Sequence, residues 1–202
     1  ALLRKKFYEV RKTESIHDSI KLLVIGGSQG AEIFDMLIKT LAVELSKKYG
    51  FKIYQQTNMI NFEELKKFYI DHNINHELFD FNEDISNFMS RSNLCLTRAG
   101  ASTLAELVFL NLPFVAIPLP TSKDNHQFEN ALFYKEIGCN WILNQNEINN
   151  KSIANKLVNI IDNKDEFLVK KINMKNFSYQ NTWNNINQKI ISVINENRIS
   201  KN

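Results

Sequence analysis

Along the chain, short continuous apolar runs alternate with longer stretches in which apolar residues recur every three or four positions. The first pattern marks buried strands and the second marks amphipathic helices. Lys21 to Gly26 reads as a first strand, Ala31 to Lys48 as its helix, and Phe51 to Thr57 as a second strand. A helix from Phe62 to His72 leads to a third strand, His76 to Phe81. Ile85 to Ser90 is a short helix, Asn93 to Thr97 a fourth strand, Ser102 to Leu110 a helix and Phe114 to Ile117 a fifth strand. After the loop Pro118 to Asn125 come a helix from His126 to Ile137, a short strand Asn140 to Leu143 and a helical tail. In the tail Ile186, Ile190, Ile191 and Ile194 fall at helical spacing behind Phe177 and Trp183. That stripe reads as core, or in part as a docking face for a further domain.

Regular strand–helix alternation predicts an α/β fold, a Rossmann-like parallel sheet with helices on both faces. No internal repeat and no Pro/Gly/Ser-rich linker divides the sequence. Residues 1–202 are therefore expected to form one domain with a helical tail from about residue 178 to 202. Right-handed crossovers put all strand C-termini at one sheet edge, where ligands of open α/β folds bind. Four polar loops meet there: Gly26 to Gly30, Phe81 to Asp84, Arg98 to Thr103, and Thr121 to Gln127.

The first of these loops ends the run Leu22-Leu23-Val24-Ile25-Gly26-Gly27-Ser28-Gln29-Gly30-Ala31. Glycines allow backbone to approach a ligand, and the unpaired N–H groups of the following helix attract an anion such as phosphate. The alternative is a plain strand-to-helix turn. No Lys follows Gly30 as a P-loop requires, and GxGxxG is not matched. The second strand ends in Gln55-Gln56-Thr57 rather than in an acid that would hold the ribose of NAD. NAD is thus disfavoured, and another nucleotide is not.

Composition narrows the reading less. The 202 residues suffice for a sizeable core, and 44% hydrophobic with 23% charged residues is ordinary for a soluble globular domain. A net charge of +3 makes no case for nucleic acid, and leaves open a peripheral role at an anionic membrane. Cys95 and Cys139 share no CxxC spacing and fit buried, reduced thiols, not a metal or disulfide site. No apolar window reaches membrane-span length and no signal peptide opens the sequence, so a cytoplasmic location is expected. The start at Ala1, followed by Leu2-Leu3-Arg4-Lys5-Lys6, reads as the middle of a longer protein.

The segment Thr97-Arg98-Ala99-Gly100-Ala101-Ser102-Thr103-Leu104-Ala105-Glu106 repeats the strand, small-residue turn and helix start. Ser102 and Thr103 suit either helix capping or a phosphate. Glu106 lies at i+4 from Ser102 and i+3 from Thr103, on the same face. Its carboxylate can accept from the two vicinal hydroxyls of a ribose, or be simply a solvated helix residue. Pro118-Leu119-Pro120-Thr121-Ser122-Lys123-Asp124-Asn125-His126-Gln127 adds the dense donors and acceptors that sugar hydroxyls demand.

In this order and spacing, LLVIGGSQGA, RAGASTLAE and PLP-TSKDNHQ-EN resemble the C-terminal half of the MurG family, over nearly all of Arg4 to about Gly138. The resemblance implies a GT-B glycosyltransferase C-terminal domain. It also implies a hexosyltransferase activity that moves N-acetylglucosamine from UDP-GlcNAc to lipid I, forming lipid II in peptidoglycan synthesis. By position, Ser28 with Gly27, Gln29 and Gly30 matches the segment beside the donor diphosphate, and Arg4 an arginine that contacts the same group. Asn82 falls where backbone groups read the uracil edge. Ala101, Ser102, Thr103, Leu104 and Ala105 match the segment wrapping diphosphate and ribose, headed by Arg98, with Glu106 on the ribose hydroxyls. Gln127 matches a glutamine on the GlcNAc hydroxyls. His126, often glutamine in relatives, is a hydrogen-bonding partner rather than a base.

The family's reaction is an inverting displacement. Its general base and lipid-acceptor loops belong to an N-terminal acceptor domain absent from this sequence, and no catalytic residue is expected here. His17, His72 and His76 read as surface residues. With no Asp-x-Asp in the chain, no metal and no cofactor are expected in the site; helix N-termini can stabilise the diphosphate. The implied partners are UDP-GlcNAc, lipid I through the N-terminal domain and the cytoplasmic face of the inner membrane, without nucleic acid. Alternatives are a stand-alone donor subunit pairing with a separate acceptor chain, and a nucleotide-sugar sensor.

Overall fold

A computed structural model describes residues 3–9, 19–26, 31–80, 84–178 and 182–199. Its strands are β1 (Ser19–Ile25), β2 (Gly50–Gln56), β3 (Asn75–Phe79), β4 (Leu94–Thr97), β5 (Phe114–Ala116) and β6 (Asn140–Ile142). The helices are α1 (Ala31–Lys48), α2 (Met59–Asp71), α3 (Ile85–Arg91), α4 (Ala101–Phe109), α5 (His126–Glu136), α6 (Asn150–Asp162), α7 (Lys164–Phe177) and α8 (Trp183–Ile199). A 3-10 turn, Lys5–Glu9, precedes β1. Every strand pairing is parallel, and the order across the sheet is β3-β2-β1-β4-β5-β6.

The expected α/β sheet is therefore present. Because the chain leaves β1 toward β2 on one side and returns to β4 on the other, the order reverses between β1 and β4. At such a switch point the two following helices lie on opposite faces and open a crevice above the strand ends.

Side chains of the central strands divide by the period-two rule. Leu22 and Val24 of β1, Leu94 and Leu96 of β4 and Val115 of β5 face one core with Phe34, Leu37 and Leu41 of α1 and Ile153 and Leu157 of α6. Leu23, Ile25, Cys95 and Phe114 face the other, with Leu104 and Leu107 of α4 and Tyr134 of α5. Two buried faces explain why these strands read as unbroken apolar runs. At about 2 kcal/mol for each fully buried aliphatic side chain, the four residues Leu22 to Ile25 anchor the strand that carries the glycine turn.

Helix ends are set locally. Asn58 caps α2 by accepting from the Asn61 N–H at 2.9 Å. Asn73, Asn111 and Gly138 take left-handed φ values of 53°, 59° and 73° just after α2, α4 and α5, turning the chain toward the next strand. Helices α6 and α7 belong to the packed body: Phe167 enters the first core and Met174 the second.

Helix α8 departs from the core reading. Ile190, Ile191, Val193 and Ile194 are 47–57% exposed, and among the described residues neither core includes a side chain of this helix. The periodicity was that of an amphipathic helix, but nothing among the described residues covers its apolar side. Among the described residues, no helix is long and apolar enough to cross a membrane.

Candidate functional site

The crevice is built from the ends of β1 and β4. Gly26 follows β1, while Gly27, Ser28, Gln29 and Gly30 lie outside the described residues, as do Asn82 and His17. On the other wall, Arg98 N–H donates to the Ile25 carbonyl at 3.2 Å, so the β4–α4 turn leaves the sheet beside the end of β1.

Helix α4 begins at Ala101, one residue earlier than its sequence pattern suggests, and its N-cap is Gly100, which has no side chain to cap with. Ser102 and Thr103 are thus inside the first turn, and the capping reading fails for both. The Leu104 N–H already bonds the Gly100 carbonyl at 3.0 Å, and the side chains of Leu104 and Ala105 are buried. What α4 offers a ligand is the first-turn N–H groups of Ala101, Ser102 and Thr103, the exposed Ser102 side chain and the half-buried Thr103 hydroxyl.

Glu106 stands one turn further in. It is 1% exposed, which rules out the solvated reading. Its Oε1 accepts from Arg4 Nε at 2.6 Å and its Oε2 from Arg4 Nη2 at 2.8 Å, a bidentate charge-assisted pair. The hydrogen bonds and charge of Glu106 raise the Arg4 pKa further above its ordinary value. Two residues predicted to touch different parts of one ligand thus touch each other.

Three side chains brace the loops around this pair. Gln127 Oε1 accepts from the Ala99 N–H at 3.2 Å and the Leu119 N–H at 3.0 Å, which joins the β4–α4 turn to the loop after β5. Two backbone donors on one oxygen fix the amide orientation, leaving Nε2 as the end available to a ligand. Asn130, one turn along α5, donates to the Ala99 carbonyl at 3.0 Å. Both backbone groups of Ala99 are therefore held from α5. Arg98 is 7% exposed; its Nη1 donates to the carbonyls of Ile117 at 3.0 Å and Pro118 at 3.3 Å, and its guanidinium lies 5.1 Å from the Phe34 ring. Burial lowers its pKa, and among the described residues no carboxylate pairs with it. Buried this way, Arg98 secures the walls of the crevice.

His126 opens α5, exposed, with Nδ1 2.6 Å from the Lys123 carbonyl. The preceding Asp124 and Asn125 both have positive φ, 50° and 54°, a turn that short polar side chains tolerate. His72 is exposed, and His76 is half-buried with its ring 5.3 Å from that of Tyr69. Cys95 and Cys139 are both buried, and burial raises both thiol pKa values, that of Cys139 to about 11.

The sequence reading missed Asn130 and Asp35. Asp35, on α1, accepts from Gln55 Nε2 at 2.8 Å, Thr57 Oγ1 at 2.8 Å and Asn61 Nδ2 at 3.0 Å, while Tyr69 donates to Gln55 Oε1. The second strand does end beside an acid, but one supplied by α1 and already filled by protein donors. Its partners lie 20 to 26 residues away, beyond any local pattern. Asp35, Met36, Lys39, Asn61 and Glu64 also border an open groove of about 380 Å³ between α1 and α2, where Lys39 and Glu64 pair at 2.5 Å.

Comparison with known proteins gives the same outline. The chain is 66% identical over 197 residues to the UDP-N-acetylglucosamine–N-acetylmuramyl-(pentapeptide) pyrophosphoryl-undecaprenol N-acetylglucosamine transferase of Pelagibacter ubique, covering 98% of this chain and 55% of that protein. It is 34% identical over 157 residues to the protein of the same description from Rickettsia bellii, covering 76% and 44%. The chain thus spans about half the length of the curated relatives it matches. The crystal structure of Acinetobacter baumannii MurG superposes with a TM-score of 0.74 at 24% identity, over 90% of this chain and 51% of that one. The glycosyltransferase family 28 C-terminal domain matches residues 21–189, and the chain belongs to that family.

Proposed function

We propose that this chain is the donor-binding half of an inverting glycosyltransferase that moves N-acetylglucosamine from UDP-GlcNAc to lipid I, forming lipid II on the cytoplasmic face of the bacterial inner membrane. The observation that carries the reading is Glu106: a buried carboxylate, one turn behind an uncapped helix N-terminus, at the switch point of a parallel sheet. That juxtaposition suits a ribose diphosphate, with hydroxyls on the carboxylate and phosphate oxygens on the N–H groups. The 66% identity to the Pelagibacter ubique transferase supports the choice of donor and acceptor.

In this reading Gly27, Ser28, Gln29 and Gly30 face Ala101, Ser102 and Thr103 across the diphosphate. Asn82 meets the uracil edge, and the Nε2 of Gln127, with His126 beside it, meets the sugar. As the bond to the anomeric carbon breaks, negative charge builds on the departing UDP, and the dipoles of α1 and α4 stabilise it without reorganising. The base that takes the proton of the attacking hydroxyl, and the surface that holds the lipid, come from the half of the enzyme outside this sequence. The chain alone is expected to bind UDP-GlcNAc and not to transfer the sugar.

Titration calorimetry with UDP-GlcNAc, UDP-glucose and ADP-glucose tests the reading. UDP-GlcNAc is expected to bind most tightly. Equal binding of all three, or none, refutes the donor assignment, and lipid I glycosylation by this chain alone refutes the half-enzyme assignment.

A further inference from the structure

We propose that Arg4 is a specificity residue for the donor: it holds Glu106 in the free protein and releases it only to a ribose whose neighbouring diphosphate takes Arg4 in turn. The inference rests on the donor reading above and goes beyond it in making the two contacts exclusive.

Both carboxylate oxygens of Glu106 are occupied by Arg4, at 2.6 and 2.8 Å, and with Arg4 in place the residue is 1% exposed. Ribose hydroxyls therefore reach Glu106 only after the guanidinium leaves. The arginine is built to leave. Its side chain is 51% exposed, so it can be rehydrated, whereas Glu106 cannot. Its backbone is anchored, because the Arg4 carbonyl accepts from the Phe7 N–H at 3.1 Å and Phe7 is fully buried. The guanidinium sits 5.1 Å from the Phe7 ring, so a side-chain swing on a fixed base is enough for the exchange.

The two charges set the ligand. Vicinal hydroxyls can replace Arg4 as donors to Glu106, and a diphosphate can replace Glu106 as acceptor for Arg4. A ligand with both leaves every charged group paired. A nucleoside without phosphate frees Arg4 into water and must displace a bidentate ion pair to bind. A bare diphosphate draws Arg4 away and strands a buried carboxylate, which is the costlier failure. Ribose and diphosphate accordingly bind cooperatively, and nucleosides are rejected although their sugar fits.

Calorimetry with uridine, UDP and pyrophosphate on the unsubstituted chain and on Arg4→Gln tests this. With the ion pair gone, uridine is expected to bind about threefold tighter and UDP about tenfold weaker, so that the preference for UDP falls about thirtyfold. Uridine binding that is unchanged or weakened in R4Q while UDP is still bound overturns the exchange and leaves Arg4 as a support for Glu106. The Arg4 Nε–H resonance of the unsubstituted chain gives a second reading without any substitution. It is expected to shift on UDP saturation as its partner changes, and an unshifted signal overturns the exchange. No UDP binding by the unsubstituted chain overturns the donor reading, and this inference with it.

Discussion

Two buried carboxylates, Asp35 and Glu106, sit on helices that follow sheet strands, and their surroundings differ in one decisive respect. Asp35 accepts from Gln55, Thr57 and Asn61, the first two of them buried and held by the chain itself. Glu106 accepts from one arginine that is half exposed. Both are satisfied acids by hydrogen-bond count. Asp35 keeps two buried donors that water cannot take over, whereas the whole partner of Glu106 can move into water, and so only the second can be handed to a ligand. Burial alone does not mark a site here; exchangeability of the partner does.

If this distinction holds, substitutions at the two positions separate stability from binding. Glu106→Ala removes both acceptors proposed for the ribose, and UDP affinity is expected to fall about 100-fold by calorimetry. Its thermal midpoint should change little, since the arginine left behind is already half in water. Asp35→Ala strands buried donors, and is expected to cost about 3 kcal/mol, a drop in Tm on the order of 10 °C by calorimetric scanning. Nucleotide affinity, measured well below the lowered Tm, should stay within about threefold of the unsubstituted chain. Reversal of the two patterns would break the comparison.

Asn130→Ala sharpens it at the level of positioning. Removing the bond to the Ala99 carbonyl leaves Gln127 as the side chain holding that turn from α5. A loss of about 1 kcal/mol in UDP binding, near fivefold, is expected, with a smaller effect on uridine. An effect on both ligands alike would place Asn130 in general folding instead.

The exposed stripe of α8 bounds the smallest effects. Ile190→Glu and Ile194→Glu should shift stability by less than about 0.5 kcal/mol in denaturant titration, because both side chains are half exposed in this chain. The thiols give a pH reading. Burial raises Cys139 to about 11 from 9.0, so the folded state holds its proton where the unfolded thiol has lost it. That contribution to stability is present below pH 9 and declines as pH rises toward 11. Neither cysteine should react with a thiol reagent near neutral pH until the chain is denatured.

Much of this was legible from residues alone, for physical reasons. Leu22 to Ile25 lie against two cores at once, so the run had to be continuous, and a parallel sheet with its polar loops gathered at one edge follows from alternation with right-handed crossovers. The 3.6-residue repeat placed Glu106 on the helix face that carries Ser102 and Thr103, one turn further along. Contacts that cross the sequence were not legible. Gln127 and Asn130 reach Ala99 from 28 and 31 residues away, and Arg4 reaches Glu106 from 102. Of the two readings of the α8 stripe, the core reading fails for Ile190, Ile191 and Ile194, because periodicity reports that a face is apolar and says nothing of what covers it. Helix α4 begins at Ala101 because Gly100 can occupy the cap position with its extended backbone, which made Ser102 part of the first turn rather than its cap.

A crystal structure of the chain grown with UDP tests the central claim most directly. The account predicts the ribose hydroxyls on the Glu106 oxygens, the diphosphate at the first turn of α4, and the Arg4 guanidinium turned from Glu106 onto the diphosphate. Nucleotide bound elsewhere, for instance in the groove between α1 and α2, with the Arg4–Glu106 pair intact, would contradict it.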